Sequence, residues 1–191
     1  MSLRRSEKSM GCQMRQISDY VLKCTSLGRE ECREVISELG NWEPHKWYSH
    51  VEDRKDSFGD FVVTHNTKAN ICLQPHIEKG LVTYASTMMG EYGEAFFNTH
   101  VRFNKYSIGE GIEKHVDHIH ALFNSRPSGI PVLSLVGCLN DDYEGGVFHL
   151  CDSPVDIKAG EFIIFPSIFL YPHYVTPVTK GTRYSWVSWA C

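Results

Sequence analysis

The stretch YPHYVTPVTKGTRYSWVSW, residues 171–189, sets short runs rich in Val, Tyr, Thr and Trp around the turn residues Pro177 and Gly181. That composition suits extended chain broken by reversals rather than helix. The same texture recurs upstream. From about Phe97 onward, VRFNKYS (101–107), IEKHVDHI (112–119), PVLSLVGCLN (131–140), GVFHL (146–150), EFIIFPS (161–167), HYVTPV (173–178) and TRYSWVSW (182–189) succeed one another with turn clusters between them. Before Phe97 the periodicity is helical. In GREECREVISELG (28–40), Cys32, Val35, Ile36 and Leu39 recur at helical spacing and Gly40 supplies a stop. A second helix is expected to start at Pro75 and to carry Ile77, Leu81, Tyr84, Ala85 and Met88 on one face. Residues 41–69 are rich in Trp, His, Asn and Asp and are expected to be loops with one short strand.

Helices followed by many strands predict a mainly β protein with flanking α-helices, its core an antiparallel sandwich or barrel of jelly-roll type. One domain over residues 1–191 is expected, with a leader of uncertain order at 1–25, a helical buttress at 26–98 and the β core at 99–191.

Composition narrows the function classes. The 191 residues are 42% hydrophobic and 22% charged, with no apolar run near the roughly 18 residues of a membrane span. Met1, Arg4, Arg5 and Lys8 are not followed by the hydrophobic stretch of a signal peptide, so a cytoplasmic location and no membrane partner are expected. The net charge is -4 and no Lys/Arg cluster tracks a phosphate backbone, so nucleic acid is not an expected partner. The seven cysteines form no C-x-x-C pair, which suits reduced thiols. No residue pattern speaks for a particular oligomeric state.

The segment KHVDHIH (114–120) offers three histidines and an aspartate. On a strand the side chains alternate, placing His115 and Asp117 on one face and His118 and His120 on the other. A His-x-Asp pair on a rigid strand is a two-point clamp, and a third ligand from elsewhere would complete the 2-His-1-carboxylate triad of non-heme iron(II) sites. The pattern alone is weak, since His50-Val51-Glu52 and His76-Ile77-Glu78 share it. On a helix His76 and Glu78 would point about 200° apart and could not share an ion.

The opening stretch supplies the context. His173 and Arg183 stand ten positions apart; fully extended, that is about 33 Å, too far for one small ligand. A hairpin turning near Thr179 is expected to bring both to one cavity. After Arg126 the chain has only Lys158, Lys180 and Arg183 as basic residues. An arginine near a half-open metal site suits bidentate capture of a carboxylate. The matching molecule is a 2-oxo diacid such as 2-oxoglutarate, chelating the metal at one end and held by Arg183 at the other.

Those residues also carry a family likeness. YSIGEGIEKHVDH (106–118), LNDDYEGGVFHL (139–150), IKAGEFIIFPS (157–167) and PHYVTPVTKGTRYSWVSW (172–189) resemble, in order, the motifs of iron(II)/2-oxoglutarate-dependent dioxygenases of the prolyl 4-hydroxylase type. The resemblance covers roughly residues 100–190. It implies a double-stranded β-helix core with His115, Asp117 and His173 as metal ligands and catalytic centre. It implies Arg183 as anchor of the distal carboxylate, Tyr106 as a hydrogen-bond partner of the cosubstrate, and Trp189 as an aromatic lining the pocket. The implied cofactors are Fe(2+), 2-oxoglutarate and O2, with ascorbate as an accessory reductant. The implied activity is hydroxylation of an unactivated C–H, a prolyl or other residue of a peptide or protein first, with release of succinate and CO2. The same chemistry on a free amino acid or small metabolite is the alternative. Asp117 favours hydroxylation over halogenation, which needs a small residue there. A zinc hydrolase using the whole His run, and a non-catalytic metal-binding barrel, are the readings from other classes; His149 and one of Trp186 and Trp189 read as structural.

Overall fold

The computed structural model describes residues 16–41, 45–48, 57–63, 67–90, 96–117 and 131–191, and every structural statement below concerns these. In chain order the elements are β1 (Leu22–Thr25), α1 (Arg29–Leu39), β2 (His45–Tyr48), β3 (Ser57–Val63) and α2 (Lys68–Tyr84). There follow β4 (Arg102–Tyr106), β5 (Ile112–His115), β6 (Leu133–Cys138), β7 (Glu144–Gly145), β8 (Phe148–Leu150) and β9 (Ser153–Pro154). The last four are β10 (Glu161–Pro166), β11 (His173–Val175), β12 (Val178–Lys180) and β13 (Arg183–Ala190).

A seven-stranded sheet has the order β1-β10-β6-β13-β4-β3-β2, a four-stranded sheet the order β5-β11-β8-β9, and β12 pairs β7. All the ladders are antiparallel. This is the expected jelly-roll architecture with flanking helices.

Period two divides the large sheet into two working faces. Phe103, Leu135, Phe162, Ile164 and Trp186 pack against Leu73, Ile77, Leu81 and Tyr84 of α2 and against Cys32 and Val35 of α1. Their neighbours in sequence, Val136, Ile163 and Phe165, face Phe148, Leu150 and Val175 of the small sheet. The central strands β6 and β10 are therefore apolar on both sides, which is why IIF reads as a continuous run instead of an alternation. Between β7 and β8 the chain bends through Gly145 at φ 72° and Gly146 at φ 56°, a region open to glycine.

Several expectations need correction. α2 starts seven residues before Pro75, which lies inside it. Thr67 caps the helix by accepting from the Asn70 amide (3.3 Å), and the Glu38 carboxylate of α1 accepts from the Ala69 amide (2.9 Å), so the first donors are satisfied without proline. Residues 41–69 contain two strands, β2 and β3, which extend the large sheet beyond β4. Within the leader, β1 pairs β10 over Leu22–Thr25, so that stretch is part of the sheet. The strand expected over 112–119 ends at His115, with Asp117 just beyond it.

The proposed hairpin does not form. β11 pairs β5 and β8 in the small sheet, whereas β13 pairs β4 and β6 in the large one. The chain between them crosses from one sheet to the other through β12. His50, Glu52, His118, His120 and residues 121–129 lie outside the described residues.

Gly137 sits opposite Trp186 across the β6–β13 ladder, and a Cβ there would collide with the indole ring. Trp186 is fully buried. Gly137→Ala is expected to cost about 1–3 kcal/mol by overpacking, measured as a lower urea midpoint. The double variant Gly137→Ala/Trp186→Phe is expected to lose less than the two single costs combined; full additivity would show that the ring and the missing methyl are not coupled.

Candidate active site

Three side chains converge between the sheets. His115 ends β5, His173 opens β11 directly opposite it in the ladder, and Asp117 follows two residues after His115. Their ligand atoms all lie within 4.8 Å of one another. Asp117 stands between the imidazoles, Oδ1 at 3.6 Å from His115 Nε2 and Oδ2 at 3.6 Å from His173 Nε2. The two rings are 4.3 Å apart between centroids.

Backbone carbonyls orient both rings. His115 Nδ1 lies 2.7 Å from the Glu113 carbonyl and His173 Nδ1 lies 3.1 Å from the Tyr171 carbonyl. A proton on each Nδ1 satisfies those contacts and leaves both Nε2 lone pairs turned toward Asp117. Burial pushes the His173 pKa down, and His115 adds to the effect, outweighing the nearby carboxylate. Burial alone would raise Asp117; the His115 and His173 imidazoles and the Ser134 hydroxyl outweigh it and hold the carboxyl well below its usual range. Neutral imidazole and ionised carboxylate are the protonation states a divalent cation requires.

Sequence reasoning missed the support beneath Asp117. Ser134 Oγ, on β6, donates to Asp117 Oδ2 at 2.7 Å, and its oxygen lies 2.8 Å from Ser167 Oγ just after β10. Both serines are about 1% exposed. The available signal was a hydroxyl at an inward position of an otherwise apolar central strand.

Arg183 reaches the same cavity from the opposite wall. Its guanidinium lies over the Tyr106 ring (5.2 Å from Cζ to centroid), and Nη1 donates to Ser185 Oγ at 2.8 Å. Arg183 is 2% exposed, its Nε has no hydrogen-bond partner, and no carboxylate pairs with it among the described residues. The other late cations are engaged at the surface, Lys180 with Glu144 (2.7 Å) and Lys158 with Asp156 (2.8 Å). Burial raises the Tyr106 phenol against the pull of Arg183 and Arg102, so its hydroxyl remains a neutral donor.

The cavity that joins these groups is lined by His115, Asp117, His173, Tyr106, Arg183 and Trp189, among others. All five residues singled out as metal or cosubstrate groups thus share it. His173 and Arg183 meet across the sandwich, not across a hairpin. Trp189 faces the cavity beside Arg102 (5.3 Å), while Trp186 faces the helices. His149 stacks on Tyr174 at 4.5 Å and stands apart from the triad. His76 and Glu78 lie mid-helix, where Glu78 accepts from Gln74 at 2.9 Å.

The donor set suits a divalent transition metal with open positions, and the buried guanidinium suits a carboxylate beside it. Comparison with known proteins agrees. Residues 101–191 match the 2OG-Fe(II) oxygenase superfamily. A PKHD-type hydroxylase of Delftia acidovorans is 36% identical over 97 residues, which take in 46% of this chain and 41% of that protein, so the match spans less than half of the curated relative. The viral collagen prolyl hydroxylase of Paramecium Bursaria Chlorella virus-1, solved as its 2OG complex, superposes with a TM-score of 0.68 at 15% identity, over 90% of this chain and 95% of that one. A prolyl hydroxylase of Trichoplax adhaerens, in complex with a hypoxia inducible factor peptide fragment, gives 0.65 at 15% identity, over 91% and 84%.

The fold is a jelly roll shared with solved prolyl hydroxylases, and the segment that carries the clustered residues, 101–191, matches the 2OG-Fe(II) oxygenase superfamily. Within it, the likeness is to oxygenases of the prolyl 4-hydroxylase type.

Ser134→Ala would free the Asp117 carboxylate to rotate and strand Ser167. Mn(II) or anaerobic Fe(II) titration is expected to show an affinity about 10–100-fold lower, with an unchanged circular dichroism spectrum. Undiminished affinity would show that the serine pair does not orient the ligand.

Proposed function

We propose that the protein is an Fe(II)/2-oxoglutarate-dependent hydroxylase of the prolyl 4-hydroxylase type, acting on a prolyl or other residue of a peptide or protein and releasing succinate and CO2. The observation that carries the reading is Arg183, a guanidinium buried without a carboxylate partner among the described residues, in the cavity that also holds His115, Asp117 and His173. A buried charge without a counter-charge is costly unless a ligand completes it. A pure metal-binding barrel has no use for such a group.

His115 Nε2, the Asp117 carboxylate and His173 Nε2 would hold the ferrous ion. Such an ion supplies the activation of O2 that couples decarboxylation of the 2-oxo acid to oxidation of a C–H bond. Arg183 grips the distal carboxylate through paired N–H donors, and the Tyr106 hydroxyl adds a neutral donor beside it. The Asp117 carboxylate occupies the place a halide would need, which favours hydroxylation. Phe148, Val136 and Val187 wall the cavity with apolar surface and limit water around the reacting groups. No side chain is required as general acid or base; the protein contributes position and field. Ascorbate would act from solution, keeping the metal reduced.

The peptide class of substrate draws support from the two solved relatives, one described as a collagen prolyl hydroxylase and one bound to a peptide fragment. A screen of proline-containing peptides, other peptides and free amino acids for a mass gain of one oxygen, with 2-oxoglutarate consumption alongside, tests it. Oxygen gain only on free amino acids would replace the peptide reading with the small-molecule one.

Anaerobic Fe(II) and 2-oxoglutarate are expected to give the weak visible charge-transfer band of the chelate. Arg183→Ala is expected to raise the 2-oxoglutarate concentration needed for it by about a hundredfold, and Arg183→Lys by less, since an ammonium keeps the charge but loses the fork. An equal band at equal concentration in all three folded proteins would remove Arg183 from the site.

A further inference from the structure

Among the described residues, ten large apolar side chains are exposed, and most stand singly in the sequence, as Ile71, Phe97 and Ile108 do. Ile168, Phe169 and Leu170 are consecutive. Phe169 is 72% exposed, and Val132, also exposed, adjoins the three because its carbonyl accepts from the Ser167 amide at 2.9 Å. Single exposed apolar residues are ordinary, whereas a contiguous patch marks a contact surface.

The patch is held in place by its backbone. Ile168–Tyr171 is a turn closed by the Tyr171 amide on the Ile168 carbonyl (3.0 Å). Cys151, at the corner between β8 and β9, secures it from one side, its Sγ donating to the Leu170 carbonyl (3.3 Å) and its amide to the Pro172 carbonyl (2.8 Å). Tyr171 is buried beneath and donates from its hydroxyl to the Ile17 carbonyl (3.0 Å). The central pair of a turn usually draws on Gly, Pro, Asn, Asp or Ser. Here it is Phe169 and Leu170, and neither side chain belongs to a core cluster, so folding does not call for them.

Their place in the fold supplies a reason. The turn joins β10 to β11 at the metal end of the sandwich: Ser167, just before it, lies against the Ser134 hydroxyl that braces Asp117 (2.8 Å), and His173, just after it, is one of the triad. Trp189, at the half-exposed end of the cavity, faces Ser134 across the β6–β13 ladder. A substrate enters at this end, since buried Tyr106 and Arg183 close the other. Phe169 stands four residues from His173, which keeps the two Cα atoms within about 14 Å, a span that about four residues of extended peptide cover.

We propose that the turn Ile168–Leu170, with Val132, is a docking rim for the peptide substrate and takes a large apolar side chain within about four residues of the one hydroxylated. The assignment rests on the peptide reading above and adds a sequence requirement to it. The four side chains carry no charge, so recognition is by apolar area, and a purely polar peptide gains nothing from the rim. A free amino acid at the metal would not extend to it.

The probes are eleven-residue peptides with a central proline or a central lysine in a Gly/Ser background, a single leucine being moved through the four positions on either side, beside the leucine-free parents. Oxygen gain by mass gives kcat/KM. Leucine at one or two positions is expected to raise kcat/KM about tenfold over the parent, the worth of roughly half-burying that side chain. Phe169→Ser is expected to abolish the gain and Phe169→Leu to keep most of it, while Ile71→Ser, on the exposed face of α2, keeps all of it. The parent's kcat/KM, the Mn(II) affinity and the melting temperature are expected to be the same in Phe169→Ser as in the wild type. Equal rates at every leucine position, or a gain that survives both Phe169→Ser and Leu170→Ser, would overturn the assignment while the peptide reading stands. A wild-type dimer that Phe169→Ser dissociates in sedimentation velocity would give the patch to a second copy and overturn it too. If the wild type adds oxygen to no peptide of either series, the peptide reading itself falls, and the docking rim with it.

Discussion

Two charged groups of opposite sign are buried in one inter-sheet space without touching each other, and the rest of the molecule is arranged around that fact. Asp117 stands between His115 and His173 on the small-sheet side, while Arg183 lies against Tyr106 on the large-sheet side. Facing sheets pack about 10 Å apart, a gap that apolar side chains ordinarily fill. Here one part of the gap is filled in that way by Val136, Phe148, Ile163 and Phe165, and the other part is left polar. Had Arg183 met Asp117 directly, each would have neutralised the other and the cavity would be an internal salt bridge. Keeping them apart preserves both as unsatisfied demands that a metal and an anion can meet together.

Separation of this kind needs rigid walls. The large sheet supplies one, because its reverse face is anchored by α1 and α2 through Trp186, Phe162 and Ile164, leaving Arg183, Ser185, Val187 and Trp189 free to face inward. Strand period two is thus what couples stability to the site: even positions of β13 hold the helices, odd positions form the cavity. The opposite wall fixes the imidazoles through backbone carbonyls, that of Glu113 within β5 and that of Tyr171 in the turn just before β11. Such carbonyl contacts tie ring orientation to sheet geometry and leave little to side-chain rotamers.

The chemical identity of the site was legible in the sequence, and its geometry was only partly so. His115 and Asp117 share their spacing with two other His-x-acid pairs and stood out only beside His173 and Arg183 and through the family likeness, while Arg183 stood out by the scarcity of late cations. The route that brings His173 to Arg183 was misread: Pro177 and Gly181 suggested a hairpin, but a jelly roll passes the chain from one sheet to the other, and local turn signals do not distinguish the two. Pro75 was misplaced for a related reason, since the capping that starts α2 comes partly from Glu38 in another helix. Ser134 was invisible for the opposite reason. A polar residue in an apolar strand is ambiguous until its neighbours across the sheet are known. The strands in 41–69 were obscured by polar composition, because β2 sits at the sheet edge, where the usual apolar signal is weakest.

The distribution of satisfied and unsatisfied groups separates what holds the fold from what awaits a ligand. Ser134, Ser167 and Ser185 are buried hydroxyls with partners, and the rings of His115 and His173 are tied to carbonyls. Among the described residues, Arg183 Nε and both amide atoms of Asn104 are buried without partners in one cavity wall. Trp186 Nε1, on the helix-facing side of the same sheet, is also buried without a partner, so an idle polar atom alone does not mark a ligand site. What distinguishes the cavity wall is its company: the idle atoms there share one space with the His115, Asp117 and His173 cluster. The fold accepts the cost of leaving these groups idle because the same groups, once engaged, give the ligand its orientation.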